Sequence, residues 1–382
     1  MPIAGERMRI ALITETWLPS VDGVVTRIGH TVNQLVAAGH DILVLAPTTG
    51  PTIARTRQFE LPGTILPFID RNRRVGLPLP WSVTKPLDRF DPDVVHVVNP
   101  VLMGWAALMC LAERHSTVVS FHTDLEAYLP GYRLGALRPA LRAMMSASYG
   151  RADLALATSA YGQQRLLGLG VSSKLWPPAV DNDLFHGPTA PMSTPAWLTD
   201  EPERPTAICV GRLAREKNLD MLAAVLAAAS SVRPWHLTFI GDGPDRGRLE
   251  RRFSGLPATF AGRRSAIEVA AAYRSADVLL MPSLTETVGL VLLEAAACGL
   301  PVVAADTPAV RHTVQSGTPL LPPNATPQRW VTSIADVFGR PRPQPAKVAS
   351  WREVTDELTE AYRWVAELQW QGRPDRGDTL DL

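Results

Sequence analysis

The stretch from Asp277 to Val303, DVLLMPSLTETVGLVLLEAAACGLPVV, decides the fold. It begins with a short apolar run that ends at Pro282 and continues through a polar loop. Apolar residues then recur at helical spacing up to Gly299, where a glycine commonly ends a helix. A second apolar run follows. The pattern predicts strand, loop, helix and strand, which is the repeating unit of an α/β protein with a parallel sheet.

Two carboxylates in this stretch occupy different elements. Glu286 lies in the loop at the carboxyl end of a strand, where ligands collect in open parallel sheets, and Glu294 lies inside the helix. The backbone N–H groups of Val288, Gly289 and Leu290 open the helix and suit a phosphate. A ligand that meets all three features carries hydroxyls at both ends and phosphate in the middle, as a nucleotide-sugar does. The alternative is that Glu294 is an ordinary exposed helix residue and Glu286 a partner of the helix dipole.

The seven-residue spacing between Glu286 and Glu294 resembles the E-x7-E segment of glycosyltransferase family 4, whose members are retaining enzymes of the GT-B fold. The internal Gly289-Leu290 and the later GLPVV strengthen the resemblance. It implies that Glu286 contacts sugar hydroxyls and that Glu294 holds the ribose. It also implies that the amides of Gly289 and Leu290 hold phosphate. One departure is Val288, where family members often have Phe.

Length and composition restrict the class of the protein. The 382 residues favour two domains, and with 46% hydrophobic and 20% charged residues they can bury a sizeable core. The net charge of +1 argues against broad nucleic-acid binding. The three cysteines lack metal-binding spacing, which indicates buried thiols in a reducing compartment. The sequence start does not have a signal-peptide pattern, and no apolar run reaches the roughly 18 residues of a membrane span.

A Rossmann-type pattern opens the chain. An apolar strand from Met8 to Thr14 precedes a turn that ends at Gly23, a helical face, and a second strand from Asp41 to Pro47. The turn lacks G-x-G-x-x-G, so dinucleotide binding is not supported. In family 4 this loop approaches the donor phosphate and the acceptor. The resemblance makes Gly23 a donor-binding residue and Trp17 and Asp22 acceptor-binding residues; the alternative for Gly23 is a glycine that only starts a helix.

The segment from Pro51 to Trp81 is predicted to be irregular. Three of its arginines, Arg71, Arg73 and Arg74, stand beside apolar residues. Basic and apolar residues together can contact an anionic membrane surface. The alternative is a solvated loop over the first domain.

The triplet Asp91-Pro92-Asp93 spells D-x-D, the metal-binding signature of a different glycosyltransferase fold. It precedes a buried strand, Asp93 to Val98, at the end away from the ligand edge of the sheet. We therefore interpret it as a turn and helix-end feature rather than a metal site. His96, inside the strand, is interpreted as structural.

A later strand, Thr117 to Phe121, leads into His122-Thr123-Asp124. These residues lie at the carboxyl end of the strand, on the ligand side of a parallel sheet. The phrase SFHTD resembles a segment of lipid-directed members of family 4, in which the histidine faces the donor sugar. The resemblance makes His122 a catalytic contact to the sugar or transition state and Asp124 an acceptor-binding residue. A lone histidine is otherwise usually structural.

The middle of the chain continues the alternation of helices and strands. A helix is predicted from Leu134 to Gly150, packed on the sheet or, alternatively, presenting a basic amphipathic surface. A strand from Asp153 to Thr158 and a helix from Ala160 to Leu167 follow. The sequence from Trp176 to Asp181 resembles the family's crossover to a second domain, and Gly187 to Pro205 fits a linker.

A second Rossmann-like pattern begins at Thr206 to Val210, followed by the turn glycine Gly211. Arg212 offers a planar fork and Lys217 a point charge, and both suit anionic oxygens. The segment resembles G-R-x4-K-N of family 4, in which the two cations hold the diphosphate.

Two downstream positions are donor-binding candidates by the same resemblance. Gly241 lies in a glycine turn near the donor, and Arg263 lies where the family places the base. The alternative for Arg263 is a side chain that only faces solvent.

Three further helices are predicted, over Thr307 to Val314, Pro327 to Phe338 and Trp351 to Trp370. The last is long and amphipathic, and in the family such a helix crosses back onto the first domain. The predicted domains are 1–180 on the acceptor side, 181–348 for the nucleotide-sugar, and 349–382 for the returning helix and tail.

The resemblance covers residues 8 to about 370 and implies an α/β protein of the GT-B fold, with two Rossmann-like doubly wound domains facing a cleft. The predicted function is retaining transfer of a hexose, by preference mannose from GDP-mannose, to a hydroxyl of a lipid or glycolipid. The first alternative is a UDP-sugar-dependent transferase that acts on a natural product or polysaccharide precursor. Two alternatives come from other classes, an NAD-dependent two-Rossmann-domain oxidoreductase and a non-catalytic nucleotide-sugar-binding protein.

The expected mechanism is a front-face departure in which the diphosphate deprotonates the acceptor, because no second carboxylate is placed as a nucleophile. Positive groups then replace a metal at the leaving group. The expected catalytic residues are His122, Glu286, Arg212 and Lys217. We expect no cofactor, no metal and no nucleic-acid partner. The expected partners are a GDP- or UDP-linked donor and a lipid or small-molecule acceptor, and the expected location is cytoplasmic with peripheral contact to the inner face of the cell membrane.

Overall fold

The computed structural model describes residues 7–20, 22–51, 53, 55–65, 74–129, 134–187, 194–200, 203–229 and 234–370. The chain forms two compact units. The first comprises Met1–Glu126, Ala136–Pro177 and Trp351–Leu382, and the second comprises Ala127–Gly135 and Pro178–Ser350.

The first unit is built on parallel strands. Its strands are β1 (Arg9–Thr14), β2 (Asp41–Ala46), β3 (Thr56–Glu60), β4 (Gly63–Ile65), β5 (Arg74–Gly76), β6 (Val94–Val98), β7 (Thr117–Phe121), β8 (Leu154–Ala157) and β9 (Lys174–Leu175). The short β4 and β5 pair with each other antiparallel, and the other seven form one parallel sheet in the order β3-β2-β1-β6-β7-β8-β9. The central strands are nearly continuous runs of Val, Ile, Leu and Ala because helices cover both faces of such a sheet.

Helices connect these strands. They are α1 (Gly23–Ala37), α2 (Pro80–Phe90), α3 (Met103–Leu111), α4 (Leu125–Tyr128), α5 (Arg138–Tyr149) and α6 (Ala160–Leu167). On one face of the sheet, Leu108 and Leu111 of α3 join a buried cluster with Val97 and Val119 of the strands. Burial of this apolar area, at about 25 cal/mol per Å², holds the helices against the sheet.

The second unit repeats the architecture. Its strands are β10 (Thr206–Val210), β11 (His236–Ile240), β12 (Ala258–Gly262), β13 (Val278–Met281), β14 (Val302–Ala305) and β15 (Leu320–Leu321). They form a parallel sheet in the order β12-β11-β10-β13-β14-β15. The helices are α7 (Met221–Ala229), α8 (Arg246–Arg252), α9 (Ala266–Ser275), α10 (Leu290–Ala297), α11 (Pro308–Thr313) and α12 (Pro327–Phe338).

The last helix, α13 (Trp351–Trp370), belongs to the first unit. Trp351 stacks on His30 of α1 with ring centroids 4.8 Å apart, and the indole of Trp176 donates to the Val354 carbonyl at 3.2 Å. Tyr362, further along the helix, is completely buried. The C-terminal helix is thus part of the core of the first unit.

The order of strands and helices predicted from the sequence is confirmed. The helices Ala160–Leu167, Pro327–Phe338 and Trp351–Trp370 agree at both ends. Two predicted helices are shorter. The one predicted from Thr307 to Val314 spans only Pro308–Thr313, and the one from Leu134 becomes α-helical only at Arg138, next to a proline that favours a first helical turn.

The prediction that Pro51 to Trp81 is irregular is wrong in part. Thr56–Glu60 adds a strand to the edge of the first sheet, where most of its side chains are exposed. An edge strand does not need an apolar face, so its sequence carries no strand signal. Arg71 and Arg73 lie outside the described residues. Arg74 pairs with Glu60 at 2.5 Å.

The D-x-D triplet has the structural role expected of it. Asp91 adopts a left-handed conformation, φ 47°, at the end of α2 and accepts a hydrogen bond from Arg9 at 2.8 Å. Asp93 accepts one from the backbone N–H of Arg9 at 2.6 Å. Both carboxylates therefore hold the start of β1 in place through their hydrogen bonds with Arg9.

Among the helices in the described ranges, none combines the length and the apolar character that crossing a membrane requires.

Candidate active site

The order of the second sheet identifies its ligand edge. The chain runs outward from β10 through β11 and β12 on one side and through β13 and β14 on the other. Open parallel sheets bind ligands at the carboxyl ends of the two strands that flank such a reversal. The loop after β10 carries Arg212 and Lys217, and the loop after β13 carries Glu286. The topology therefore places the three polar residues that the sequence singled out in adjacent loops.

Side-chain hydrogen bonds hold these two loops together. The amide of Asn218 donates to the Pro282 carbonyl at 3.2 Å, and the hydroxyls of Ser283 and Thr285 donate to the Glu216 carbonyl at 3.4 and 3.3 Å. Asn218 sits at φ 53°, a left-handed conformation that asparagine tolerates. The loops are thus fixed by groups of the protein itself, which is the preorganisation that an electrostatic site needs.

Lys217 and Glu286 form a close ion pair at this edge. Lys217 Nζ donates to Glu286 Oε1 at 2.5 Å, and the two side chains are 30% and 12% exposed. Burial, the largest single influence, lowers the pKa of Lys217 and raises that of Glu286, but the charge and hydrogen bond of the partner, together with weaker contributions from neighbouring groups, outweigh it. The pKa of Lys217 is therefore raised and that of Glu286 lowered, so the pair is ionised. Arg212 adds a second cation, 25% exposed, 4.0 Å from Glu216.

Helix α10 begins beside this pair. Gly289 precedes it with φ 74°, and a Cβ there would meet Met281 Cε at 3.0 Å and Leu292 Cδ1 at 3.1 Å. The positive φ favours glycine at this position, and a side chain there would also require small shifts of Met281 and Leu292. Among the first N–H groups of the helix, those of Leu290 and Val291 have no carbonyl of an earlier turn to bind in the described part of the chain, whereas that of Leu292 donates to the Gly289 carbonyl at 2.9 Å. The hydroxyl of Thr313 donates to the Val288 carbonyl at 2.8 Å and holds the loop in place.

Glu294 lies one turn inside α10 in a different environment. It accepts a hydrogen bond from the hydroxyl of Tyr273 at 2.8 Å. Burial raises the pKa of Glu294 to about 7, although the hydrogen bond from Tyr273 acts in the opposite direction. The two carboxylates of the E-x7-E segment therefore differ in protonation: Glu286 is ionised, and Glu294 titrates near neutrality.

Two glycines lie close together at the same edge of the sheet. Gly241, directly after β11, has φ 140°, and Gly211, directly after β10, has φ 134°. A Cβ on Gly241 would lie 2.0 Å from the carbonyl oxygen of Gly211. The two turns can approach this closely because Gly241 carries no side chain. Arg263 follows β12 at the same edge and is exposed.

In the first unit, His122 directly follows β7 and is 9% exposed. Its backbone N–H and that of Thr123 donate to the side chain of Asn99, which follows β6, at 3.1 and 2.9 Å. Its Nε2 lies 2.8 Å from the hydroxyl of Ser120. The ring packs edge-on against Trp176, with centroids 5.7 Å apart.

Asp124, which the resemblance predicted as an acceptor contact, has its carboxylate bound by side chains of the first unit. The residue is 2% exposed, and its carboxylate accepts from Tyr161 at 2.6 Å and pairs with Arg165 at 2.8 Å. Glu126 beside it pairs with Arg138, Arg142 and Arg165. Asp124 belongs to this buried network of charges, which the sequence did not indicate because the partners are up to 41 residues away.

The turn after β1 contains two residues that were predicted to contact the acceptor. Trp17 is 1% exposed and donates from its indole to Gln58 at 3.2 Å, so in this structure it is a core residue. Asp22 caps α1, with one carboxylate oxygen accepting from the N–H groups of Val24 and Val25 at 2.9 Å. Gly23 is the exposed first residue of α1. The structure thus gives Asp22 a capping role and leaves Gly23 accessible.

Several residues of these edges escaped the sequence reasoning. Asn99 holds the His122 loop, Ser120 contacts the His122 ring, and Tyr273 contacts Glu294. Asn99 could have been found, because it directly follows a predicted strand. Tyr273 lies in the preceding helix, 21 residues from Glu294, and no local pattern indicates it. Within the described ranges, no three His, Cys, Asp or Glu side chains gather closely enough to hold a metal ion.

Comparison with known proteins identifies the family. Residues 21–184 match the model of glycosyltransferase family 4, and residues 204–339 match the model of glycosyl transferases group 1. The chain is 33% identical over 381 residues to a GDP-mannose-dependent alpha-mannosyltransferase of Mycobacterium tuberculosis, covering 94% of this chain and 97% of that protein. It is 28% identical over 353 residues to the GDP-mannose-dependent alpha-(1-6)-phosphatidylinositol dimannoside mannosyltransferase of the same species, covering 87% and 88%.

Two further similarities complete the comparison. The chain is 33% identical over 317 residues to the sulfoquinovosyl transferase SQD2 of Arabidopsis thaliana, covering 78% of this chain but only 59% of that longer protein. The sucrose-phosphate synthase of Thermosynechococcus elongatus superimposes with a TM-score of 0.70 at 20% identity, covering 96% and 98%. That level of identity supports the fold alone. The chain therefore belongs to glycosyltransferase family 4 and is a glycosyltransferase of the GT-B fold.

Proposed function

We propose that the protein transfers mannose from GDP-mannose to a hydroxyl of a lipid or glycolipid, with retention of configuration. The ion pair of Lys217 and Glu286 at the ligand edge of the second sheet carries this proposal, because it puts a cation and a hydrogen-bond acceptor in one rigid loop pair. The choice of GDP-mannose follows the mycobacterial relatives, whose names specify that donor. The choice of a lipid follows the relative that is named for phosphatidylinositol dimannoside.

The proposed chemistry assigns each group a task. When the bond between sugar and phosphate breaks, negative charge develops on the diphosphate. Arg212, Lys217 and the N–H groups at the start of α10 then stabilise that charge with fixed positive potential. Glu286, held ionised by Lys217, accepts a hydrogen bond from a sugar hydroxyl and orients the ring. The departing diphosphate takes the proton of the acceptor hydroxyl, and the acceptor attacks from the face that the diphosphate leaves.

Contact with a membrane surface is part of the proposal, because a lipid acceptor resides there. In the first unit, Trp81 is 62% exposed and Ile65 is 49% exposed. Exposed aromatic and aliphatic side chains of this kind insert at the interface between water and lipid. We therefore propose that this surface contacts the membrane peripherally.

Calorimetric titration with GDP, UDP and NAD tests the donor. We expect GDP to bind more tightly than UDP, and NAD not to bind. Tighter binding of UDP would replace mannose with a UDP-linked sugar, and binding of NAD alone would contradict the glycosyltransferase site. The control variant Glu250→Gln changes an exposed carboxylate of α8 that pairs only with Arg246 among the described residues, and it should leave all three titrations unchanged.

The pH dependence of GDP binding tests the role of Glu294. Ribose hydroxyls donate hydrogen bonds, so they prefer the ionised carboxylate. With a pKa of about 7, Glu294 is mostly protonated at low pH in the free protein. The affinity for GDP should therefore rise roughly tenfold between pH 6 and pH 8 through this group. In Glu294→Gln that part of the dependence should vanish, while any dependence that arises from the phosphates of GDP remains. An identical pH dependence in both proteins would contradict the assignment.

A further inference from the structure

A line of hydrogen bonds runs through the first unit to His122. The hydroxyl of Tyr362 on α13 lies 2.6 Å from Nδ1 of His96, and Nε2 of His96 lies 2.7 Å from the hydroxyl of Ser120. The same hydroxyl lies 2.8 Å from Nε2 of His122. Tyr362, His96 and Ser120 are completely buried, and only His122 at the end of the line has any exposure.

The hydroxyl of Tyr362, at the far end of the line, determines which group donates in each hydrogen bond. Burial raises the pKa of Tyr362, so its hydroxyl keeps its proton. The one partner of that hydroxyl in the described part of the chain is His96 Nδ1, to which it must donate. His96 then carries its own proton on Nε2 and donates to Ser120. Ser120 in turn donates to His122 Nε2, and His122 is left with its proton on Nδ1.

The environment keeps both imidazoles neutral. Burial lowers the pKa of His96 to about 3, and burial together with the charge of Arg27 lowers the pKa of His122 well below its ordinary value. Arg27 is 2% exposed and lies 3.9 Å over the ring of Trp176. It donates to the carbonyls of Trp176 and Pro177 at 2.7 and 2.8 Å. The fixed positive charge of Arg27 disfavours a positive charge on either imidazole. The question that remains is which of its two ring nitrogens carries the single proton of each neutral imidazole.

We propose that Tyr362, His96 and Ser120 are positioning residues that fix His122 as the Nδ1–H tautomer, so that it meets the donor sugar as a hydrogen-bond donor and not as a base. The contact between His122 and the donor sugar is the one that the resemblance to family 4 implies, and it rests on the proposed function. The assignment agrees with a reaction in which the departing diphosphate takes the acceptor proton, because a base at His122 is then not needed. It also means that α13 contributes to catalysis, because its Tyr362 hydroxyl is the first donor of the line.

Nitrogen-15 NMR of the imidazole rings measures the tautomer directly and without substrate. We expect His122 in the native protein to show a protonated Nδ1 and an unprotonated Nε2, with its signals assigned by their loss in His122→Gln. In Tyr362→Phe the line loses its first donor, so His122 should become a mixture of both tautomers. Ser120→Ala should give the same mixture by removing the last donor. The control Thr359→Val removes a different buried hydroxyl of α13 and should leave His122 unchanged.

Kinetics supply the second readout. Loss of a partner that orients a catalytic group typically costs about 10–100-fold in activity, so kcat of Tyr362→Phe should fall in that range while KM for GDP-mannose stays within about twofold. The double variant of Tyr362→Phe and Ser120→Ala should be no slower than the slower single variant, because one break already interrupts the line.

Protonated Nε2 in the native protein, or an unchanged tautomer in both folded single variants, would overturn the proposal. The expected tautomers in a protein that fails to use GDP-mannose would contradict the proposed function and leave the line intact. The two proposals therefore fail in different experiments.

Discussion

Replacing Lys217 or Arg212 by alanine is expected to lower kcat by about 10²–10³-fold, the loss that follows removal of one preorganised group from a developing negative charge. Both cations lie in the loop after β10, and Lys217 is held 2.5 Å from Glu286. Steady-state rates with GDP-mannose and a saturating lipid acceptor measure the effect. Arg212→Lys should retain part of the activity, since it keeps the charge but loses the planar fork.

The matched control is Arg215→Ala, which removes an exposed cation from the same loop. It should stay within about twofold of the native rate, since isolated exposed charges contribute little. If the variants at Arg212 and Lys217 both turned over at the native rate, the assignment of the leaving-group site would be wrong. Lys217 has two proposed functions, to stabilise the diphosphate and to hold Glu286 ionised. Glu286→Gln separates them, because it removes the carboxylate and keeps the ammonium group.

The second large effect is expected for Gly241→Ala. The substitution forces a side chain into φ 140° and puts its Cβ 2.0 Å from the Gly211 carbonyl oxygen, which belongs to the backbone and cannot rotate away. The left-handed conformation alone costs about 1–3 kcal/mol. With the steric overlap added, the free energy of unfolding of the second unit should fall by on the order of 4 kcal/mol or more.

Gly211→Ala is the control that isolates the overlap. Gly211 has nearly the same φ, 134°, but an added Cβ there meets no other atom within 4 Å. It should therefore carry the conformational cost alone. Urea unfolding followed by circular dichroism compares the two variants, and equal losses would show that the close approach of the two turns does not matter.

Much of the site was readable from the sequence because its residues follow strands. Arg212, Lys217, Glu286 and His122 each come shortly after an apolar run, and parallel topology gathers the carboxyl ends of strands at one edge. The E-x7-E spacing then related Glu286 in the loop after β13 to Glu294 in the helix that follows. Sequence pattern and family resemblance were sufficient to predict that these residues lie at the carboxyl ends of strands.

The remaining features depend on contacts between distant parts of the chain. The hydroxyl of Tyr362 meets His96 across 266 residues, and no local pattern encodes that contact. The resemblance to family 4 predicted an acceptor contact for Trp17, whereas in the structure Gln58 of the edge strand β3 accepts from its indole. The same resemblance predicted an acceptor contact for Asp124, whereas Arg165 and Tyr161 of α6 bind its carboxylate.

Transfer of labelled mannose tests the central claim most directly. The purified protein is incubated with GDP-mannose and vesicles that contain phosphatidylinositol mannosides, and the anomeric configuration of the product is read by NMR. We expect one GDP to be released for each mannose transferred and the product to have the α configuration of the donor. A β-linked product would contradict retention, and transfer from a UDP-sugar but not from GDP-mannose would contradict the proposed donor.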